Sequence, residues 1–214
     1  MIECRDLAFS YGGGDFALRL ERLDIEEGTR LACIGPSGCG KTTLVNLLTG
    51  ILMPDAGHVR IDGQPLDTMS DQQRRAFRLE RIGMVFQEFE LLPYVNAIEN
   101  ILLPARLAGR VDADLRIRAE NLALDLGLDA QRRRHPDRLS QGERQRVAIG
   151  RALVLVPRLI FCDEPTGNLD PKTAARILDL LFERAGDTTL FMVTHNHEIL
   201  ERFDRVLDMT DLHA

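Results

Sequence analysis

Gly35-Pro36-Ser37-Gly38-Cys39-Gly40-Lys41-Thr42 spells GxxxxGK[ST], a spacing at which a loop wraps phosphate oxygens in backbone N–H groups. Glycines let those groups turn inward, and a helix beginning at the lysine adds the positive end of its dipole. In this arrangement Lys41 reaches the β and γ phosphates and the Thr42 hydroxyl coordinates Mg²⁺. Composition marks the lysine out, because only two of the 27 basic side chains are lysines, Lys41 and Lys172. Arginine and lysine exchange on solvated surfaces but not where a compact point charge is needed. The predicted ligand is a nucleoside triphosphate; the alternative is a glycine-rich turn without one.

A second constellation is Leu159-Ile160-Phe161-Cys162-Asp163-Glu164, an apolar run ending in two carboxylates. In a parallel sheet the carboxyl ends of strands line the ligand crevice. Asp163 is placed to hold Mg²⁺ through water, and Glu164 to orient and polarise an attacking water. Side chains alternate across a strand, so the two acids point apart, which suits separate roles. A solvated strand end is the plain alternative.

The pattern around these motifs predicts the elements that must position them. Residues 2–9 and 16–25 alternate apolar and polar with period two, broken by Gly12-Gly13-Gly14, which reads as an antiparallel hairpin. Residues 30–34 form a short buried strand before the glycine loop, and 41–50 a helix closed by Gly50. Turns at 54–57 and 62–63 enclose a strand over 58–61; a charged helix capped by Ser70 spans 70–80, and a buried strand 82–86. From 96 to 156 helical periodicity takes over, with helices over 96–107, 112–126 and 141–155. Then strand, helix, strand, short helix and strand follow at 159–162, 171–185, 188–193, 197–203 and 205–209. Strands alternating with helices predict an α/β fold, a parallel sheet covered on both faces, with an all-helical insertion.

The 214 residues suffice for a real core, and 44% hydrophobic with 28% charged is the composition of an ordinary globular chain. That excludes a disordered tail, a collagen-like fibre and a disulfide-stapled miniprotein. A net charge of −6 gives no reason to expect a nucleic-acid or anionic-lipid partner. Cys4, Cys33, Cys39 and Cys162 form no CxxC pair, consistent with a reducing compartment. No basic segment followed by an apolar core opens the sequence, and no apolar run approaches the roughly 18–20 residues needed to span a bilayer. The expected location is cytoplasmic, with any service to a membrane performed by docking onto something else.

Leu139-Ser140-Gln141-Gly142-Glu143-Arg144-Gln145-Arg146 resembles the LSGGQ signature of ATP-binding-cassette (ABC) ATPases, and the resemblance covers essentially the whole chain. It implies a phosphate-loop NTPase fold with a RecA-like parallel core, an N-terminal antiparallel β lobe and an inserted helical lobe. The whole of 1–214 would be a single ABC ATPase domain, with 1–88 and 157–214 as β lobe and nucleotide core and 89–156 as the helical signature lobe. It implies contacts to ATP from Gly35 through Lys41, Thr42 and Thr43, including Pro36, Ser37, Gly38, Cys39 and Gly40. Tyr11 resembles the aromatic that stacks on adenine, although an ordinary strand-end aromatic would look the same. Gln87 resembles the glutamine between core and helical lobe that helps hold Mg²⁺ with Thr42 and Asp163; a solvated loop amide is its alternative. Glu164, His195, Gln87 and Lys41 are the implied catalytic set. His195 and His197 also spell HxH, a possible metal pair without a partner carboxylate at useful spacing. Asn168-Leu169-Asp170 resembles the loop that crosses a dimer interface. Ser140 and Gly142 would contact the γ phosphate held by a second copy, so two chains would sandwich two ATP molecules and loosen on hydrolysis. Gln141 and Glu143 depart from the usual glycine and glutamine, neither removing a charge the chemistry needs.

Phe89, Leu91, Leu92 and Tyr94 make the loop after Gln87 unusually apolar, either through core packing or as a docking patch for a membrane permease. With LLPARL and EPTGNLD, this loop resembles the lipoprotein-release, macrolide-export and cell-division branch of bacterial transporters. The implied function is an ATP-hydrolysing subunit, dimeric with ATP, held on the inner face of the cell membrane by an integral permease. An alternative is regulation of a cell-wall or division process through a permease-like partner without transport. A cassette acting on DNA or ribosomes would bring coiled coils, zinc-binding insertions or a second cassette, and a GTPase would bring NKxD; none is present.

Overall fold

Period-two alternation at the start of the chain produces β1 (Ile2–Ser10) and β2 (Ala17–Ile25), paired antiparallel from Ile2↔Ile25 to Ser10↔Ala17. The computed structural model describes residues 1–12 and 16–212, so Gly13 and Gly14 of the predicted turn lie outside the described residues. Ile2 and Cys4 face the core, then Leu7 and Phe9, a change of phase made at Asp6, whose φ of 49° bulges the strand. On its other edge β1 pairs antiparallel with β4 (Ala56–Ile61), and the register slips between Arg5 and Ala8. The slip requires Gly57 (φ 81°), since a Cβ there would meet the Asp6 carbonyl at 2.3 Å. A short strand not foreseen from sequence, β5 (Gln64–Pro65), closes the order β2-β1-β4-β5.

In the same unit, residues 1–78 with 189–214, β3 (Arg30–Ile34) runs parallel between β8 (Thr189–Val193) and β9 (Arg205–Asp208). Leu31, Ala32 and Cys33 are fully buried, as a strand covered on both faces requires. α1 (Lys41–Leu48) follows, burying Leu44, Leu47 and Leu48. α2 (Asp71–Arg81) starts at the expected Ser70, whose hydroxyl accepts from the Gln73 N–H while its own N–H donates to the Gln73 side chain.

Residues 79–188 form a second unit. Its strands β6 (Ile82–Val85) and β7 (Leu159–Asp163) are parallel, Ile82 opposite Leu159. The helix predicted over 96–107 is instead α3 (Ala97–Ile101) and α4 (Leu103–Leu107), parted at Leu102. Pro104 has no N–H to donate to the carbonyl of Asn100, so the ladder breaks there. α5 (Ala113–Asp125), α6 (Gln141–Leu153) and α7 (Pro171–Ala185) complete it, begun by Asp112, Ser140 and Asp170, whose side chains accept from Leu115, Glu143 and Thr173 N–H groups. The fold is the predicted α/β class, with an antiparallel sheet, parallel strands and a helical region. Among the described residues no helix is long and apolar enough to cross a membrane.

Candidate active site

Between β3 and α1 the glycine loop adopts backbone that only glycine takes without strain, with Gly35, Gly38 and Gly40 at φ 145°, 81° and 97°. Side chains are excluded from it as well: a Cβ at Gly40 would meet the Phe16 ring at 2.7 Å. α1 is entered through Gly40 with no side-chain cap and no acid in its first turn, whereas α5 and α6 have both and α7 is capped by Asp170. Such an end suits an external anion. Lys41, 6% exposed, folds back and donates to the Gly35 and Pro36 carbonyls at 2.8 and 2.9 Å. With the Cys39 sulfur at 4.0 Å as a further uncharged partner, this buried ammonium is placed to take a counter-charge. Loop, helix start and cation therefore fit a polyphosphate.

Tyr11 lies at the end of β1 with its hydroxyl 3.3 Å from Thr43 Oγ1 and its ring edge-on to Phe9 at 4.9 Å. It is still 47% exposed, leaving ring surface for a planar base. Thr194 N–H donates to the Cys33 carbonyl and extends the β8–β3 ladder by one residue. His195 follows, exposed, at the carboxyl end of the parallel strands, the same end at which β3 enters the glycine loop. Tyr11, the loop, Thr43 and His195 thus belong to one unit.

The remaining candidates belong to the other. β7 ends at Asp163, and Glu164 takes φ 47°, a left-handed bend that turns its side chain off the strand line. At Gly167 a Cβ would lie 3.0 Å from Gln87 Nε2 and 3.5 Å from Glu164 Oε2, so the amide and the carboxylate converge on a residue with no side chain. Asn168 Nδ2 donates to the Gln87 carbonyl at 3.1 Å, tying the two loops together.

Ser140 and Glu143 close the signature helix with a reciprocal capping box: the Ser140 N–H donates to the Glu143 carboxylate at 2.7 Å, and the Glu143 N–H to the Ser140 hydroxyl at 3.3 Å. Partial burial raises the Glu143 carboxyl, but the Ser140 bonds and nearby Arg146 and Arg134 outweigh it and hold it low. Bonds from Thr173 likewise hold Asp170 low. Ser140, Gly142 and Asp170 line one cavity of about 570 Å³ with Arg146, Thr173 and Arg176.

Two residues escaped the sequence reading. Asn100, fully buried, accepts from the Leu92 N–H and donates to the Leu92 and Val95 carbonyls. Arg151, on the buried face of α6, donates to the Phe89 and Glu90 carbonyls. The one signal for Arg151 was a cation inside the apolar stretch 147–156.

The ABC transporter family profile matches residues 19–167. The ABC transporter ATP-binding protein YbbA of Escherichia coli K12, itself uncharacterized, is 41% identical over 99% of this chain and 95% of its own. The lipoprotein-releasing system ATP-binding protein LolD of Legionella pneumophila strain Paris is 43% identical over 86% of this chain and 82% of its own. Among solved structures, a dimeric post-hydrolysis state of the ATP-binding cassette MJ0796 bound to ADP and Pi superposes with TM-score 0.86. It is 32% identical and covers 97% of this chain and 94% of that one. Sequence and fold agree with the glycine cradle and the signature helix: the chain belongs to the ABC transporter family, as an ATP-binding, ATP-hydrolysing subunit.

Proposed function

We propose that two copies of this chain close on two ATP molecules and use the cycle of closure and hydrolysis to drive an integral membrane permease. The observation that carries this reading is the 570 Å³ cavity lined by Ser140, Gly142 and Asp170, the residues through which the signature and interface loops would meet a second copy. Gly35 to Thr43 cradle the phosphates, Lys41 supplies the counter-charge, and Tyr11 offers its ring to adenine. Glu164 orients and polarises the attacking water, while Gln87 and His195 contact the region of the γ phosphate. Thr42, Asp163 and the Gln87 amide offer only oxygen ligands, the donor set a hard Mg²⁺ prefers; when bound, the ion neutralises charge developing on the phosphate oxygens. Likeness to lipoprotein-releasing ATP-binding proteins supports a transport role over the regulatory alternative. Attachment to the permease would place the chain at the cytoplasmic face of the membrane.

The test is Glu164→Gln with ATP and magnesium on size exclusion with light scattering. A species at twice the 24.1 kDa chain mass is expected, because binding survives and turnover stops. Adding Ser140→Arg should return it to single copies that still bind ATP. Wild-type turnover in Glu164→Gln, or an undiminished dimer in the double variant, would refute the assignment.

A further inference from the structure

Residues 87–95 join β6 to α3 without secondary structure of their own, yet side chains pin them at successive points. Asn168 holds the Gln87 carbonyl, Arg151 the Phe89 and Glu90 carbonyls, and Asn100 the Leu92 and Val95 carbonyls. The Arg151 clamp differs in kind from the others. Phe89 and Glu90 both lie in the left-handed region, at φ 61° and 48°, where non-glycine residues persist only if their surroundings impose it. Arg151 is 8% exposed, and its guanidinium reaches into the loop, one amino group to each carbonyl. Burial lowers its pKa, and the Glu90 charge opposes that. A buried cation is costly, and a packed apolar side chain would fill α6 at lower cost. What arginine adds is its planar fork, which spans two consecutive carbonyls as the point charge of lysine does not.

Arg151 also lies on the helix that begins at the signature. Ser140 caps α6, and Arg151 follows three turns later, about 16 Å away at 1.5 Å rise per residue. Gln87 is at one end of the clamped loop, and Tyr94, 73% exposed, is near the other.

We propose that Arg151 is a positioning residue that locks the loop 87–95 to the signature helix, so that Gln87 and the Tyr94 tip move with Ser140 as one body. Its kinetic consequence rests on the roles given above to Gln87 and Ser140.

Arg151→Met and Arg151→Lys in the full chain test it. Hydrogen exchange of the nucleotide-free protein should show the amides of 88–95 exchanging at least tenfold faster in Arg151→Met, with those of 147–153 unchanged. In steady-state ATPase assays kcat should fall at least tenfold while KM for ATP stays within twofold; lysine should recover only part of each loss. Should Arg151→Met fail to fold, Glu90→Gly in the same chain admits the left-handed backbone without strain, and the double variant should fold with kcat still low. Unchanged exchange of 88–95 in a folded Arg151→Met chain would overturn the proposal, as would full kcat in either the single or the double variant. The exchange arm needs no nucleotide, so an inactive wild type would count against the ATPase roles and leave the clamp separately measured.

Discussion

Replacing Asn100 with alanine removes the amide that holds the second half of the loop after Gln87. Asn100 Oδ1 accepts from the Leu92 N–H at 2.8 Å, and Nδ2 donates to the Leu92 and Val95 carbonyls at 3.1 and 3.2 Å. Its fourth partner, the Asn96 carbonyl, keeps the backbone N–H of residue 100 after the change and is not orphaned. The alanine variant therefore strands the Leu92 N–H and the Val95 carbonyl around a fully buried side chain, and leaves the Leu92 carbonyl only its 3.5 Å bond from the Val95 N–H. An unsatisfied buried group costs about 1–3 kcal/mol, and Leu92 and Val95 are half-buried, so water relieves part of it. The expected loss is about 2–4 kcal/mol. In a chain of this size that lowers Tm by roughly 5–15 °C. Asn96→Ala is the internal control, because it removes one helix cap, the bond from the Glu99 N–H, at about 1 kcal/mol. Urea titrations of both variants beside the wild type, with thermal melts, measure the difference. A loss for Asn100→Ala below 1 kcal/mol, or below that of Asn96→Ala, would refute the claim that this amide substitutes for secondary structure.

Lys41→Ala should weaken ATP binding about 10–100-fold by fluorescent-nucleotide titration, since charge-assisted hydrogen bonds contribute about 1.5–3 kcal/mol; unchanged affinity would remove Lys41 from the phosphate site. Glu143→Gln keeps an oxygen to accept from Ser140 N–H but loses the charge. Because the Glu143 carboxyl is held low in the fold, its stabilisation is complete above the ordinary carboxylate range and is lost as pH falls through the folded value. Wild type should thus lose stability relative to Glu143→Gln on acidification below that range; parallel pH profiles would contradict the cap. The Gln145 side chain is fully buried with neither amide atom bonded to a described residue, so Gln145→Leu should gain about 1–2 kcal/mol by chemical denaturation. A loss there would show that the amide has a partner.

Local pattern sufficed wherever the determinant was local. The glycine loop, the Lys41 helix, the Asp170-Pro171 start of α7 and the antiparallel pairing of β1 with β2 each follow from residues close together in sequence, and each occurs where expected, although the strict alternation of both strands shifts phase midway. The single helix read over 96–107 failed for a local reason that periodicity ignores, the missing N–H of Pro104. The Ser140–Glu143 capping box was also legible, a serine followed three residues later by glutamate before an apolar run.

Other features exist only once distant segments meet. Gly57 must be glycine because Asp6 bulges against it from another strand. Gln87 and Glu164 converge on Gly167 across a separation of 77 residues between the two side chains' own positions. Arg151 reads in sequence as a cation misplaced in an apolar run, and its partners are carbonyls 61 and 62 residues away. Sequence determines which backbone conformations and charges are available; which buried donor meets which strained carbonyl is settled by packing, because a hydrogen bond depends on distance in space and leaves no period along the chain.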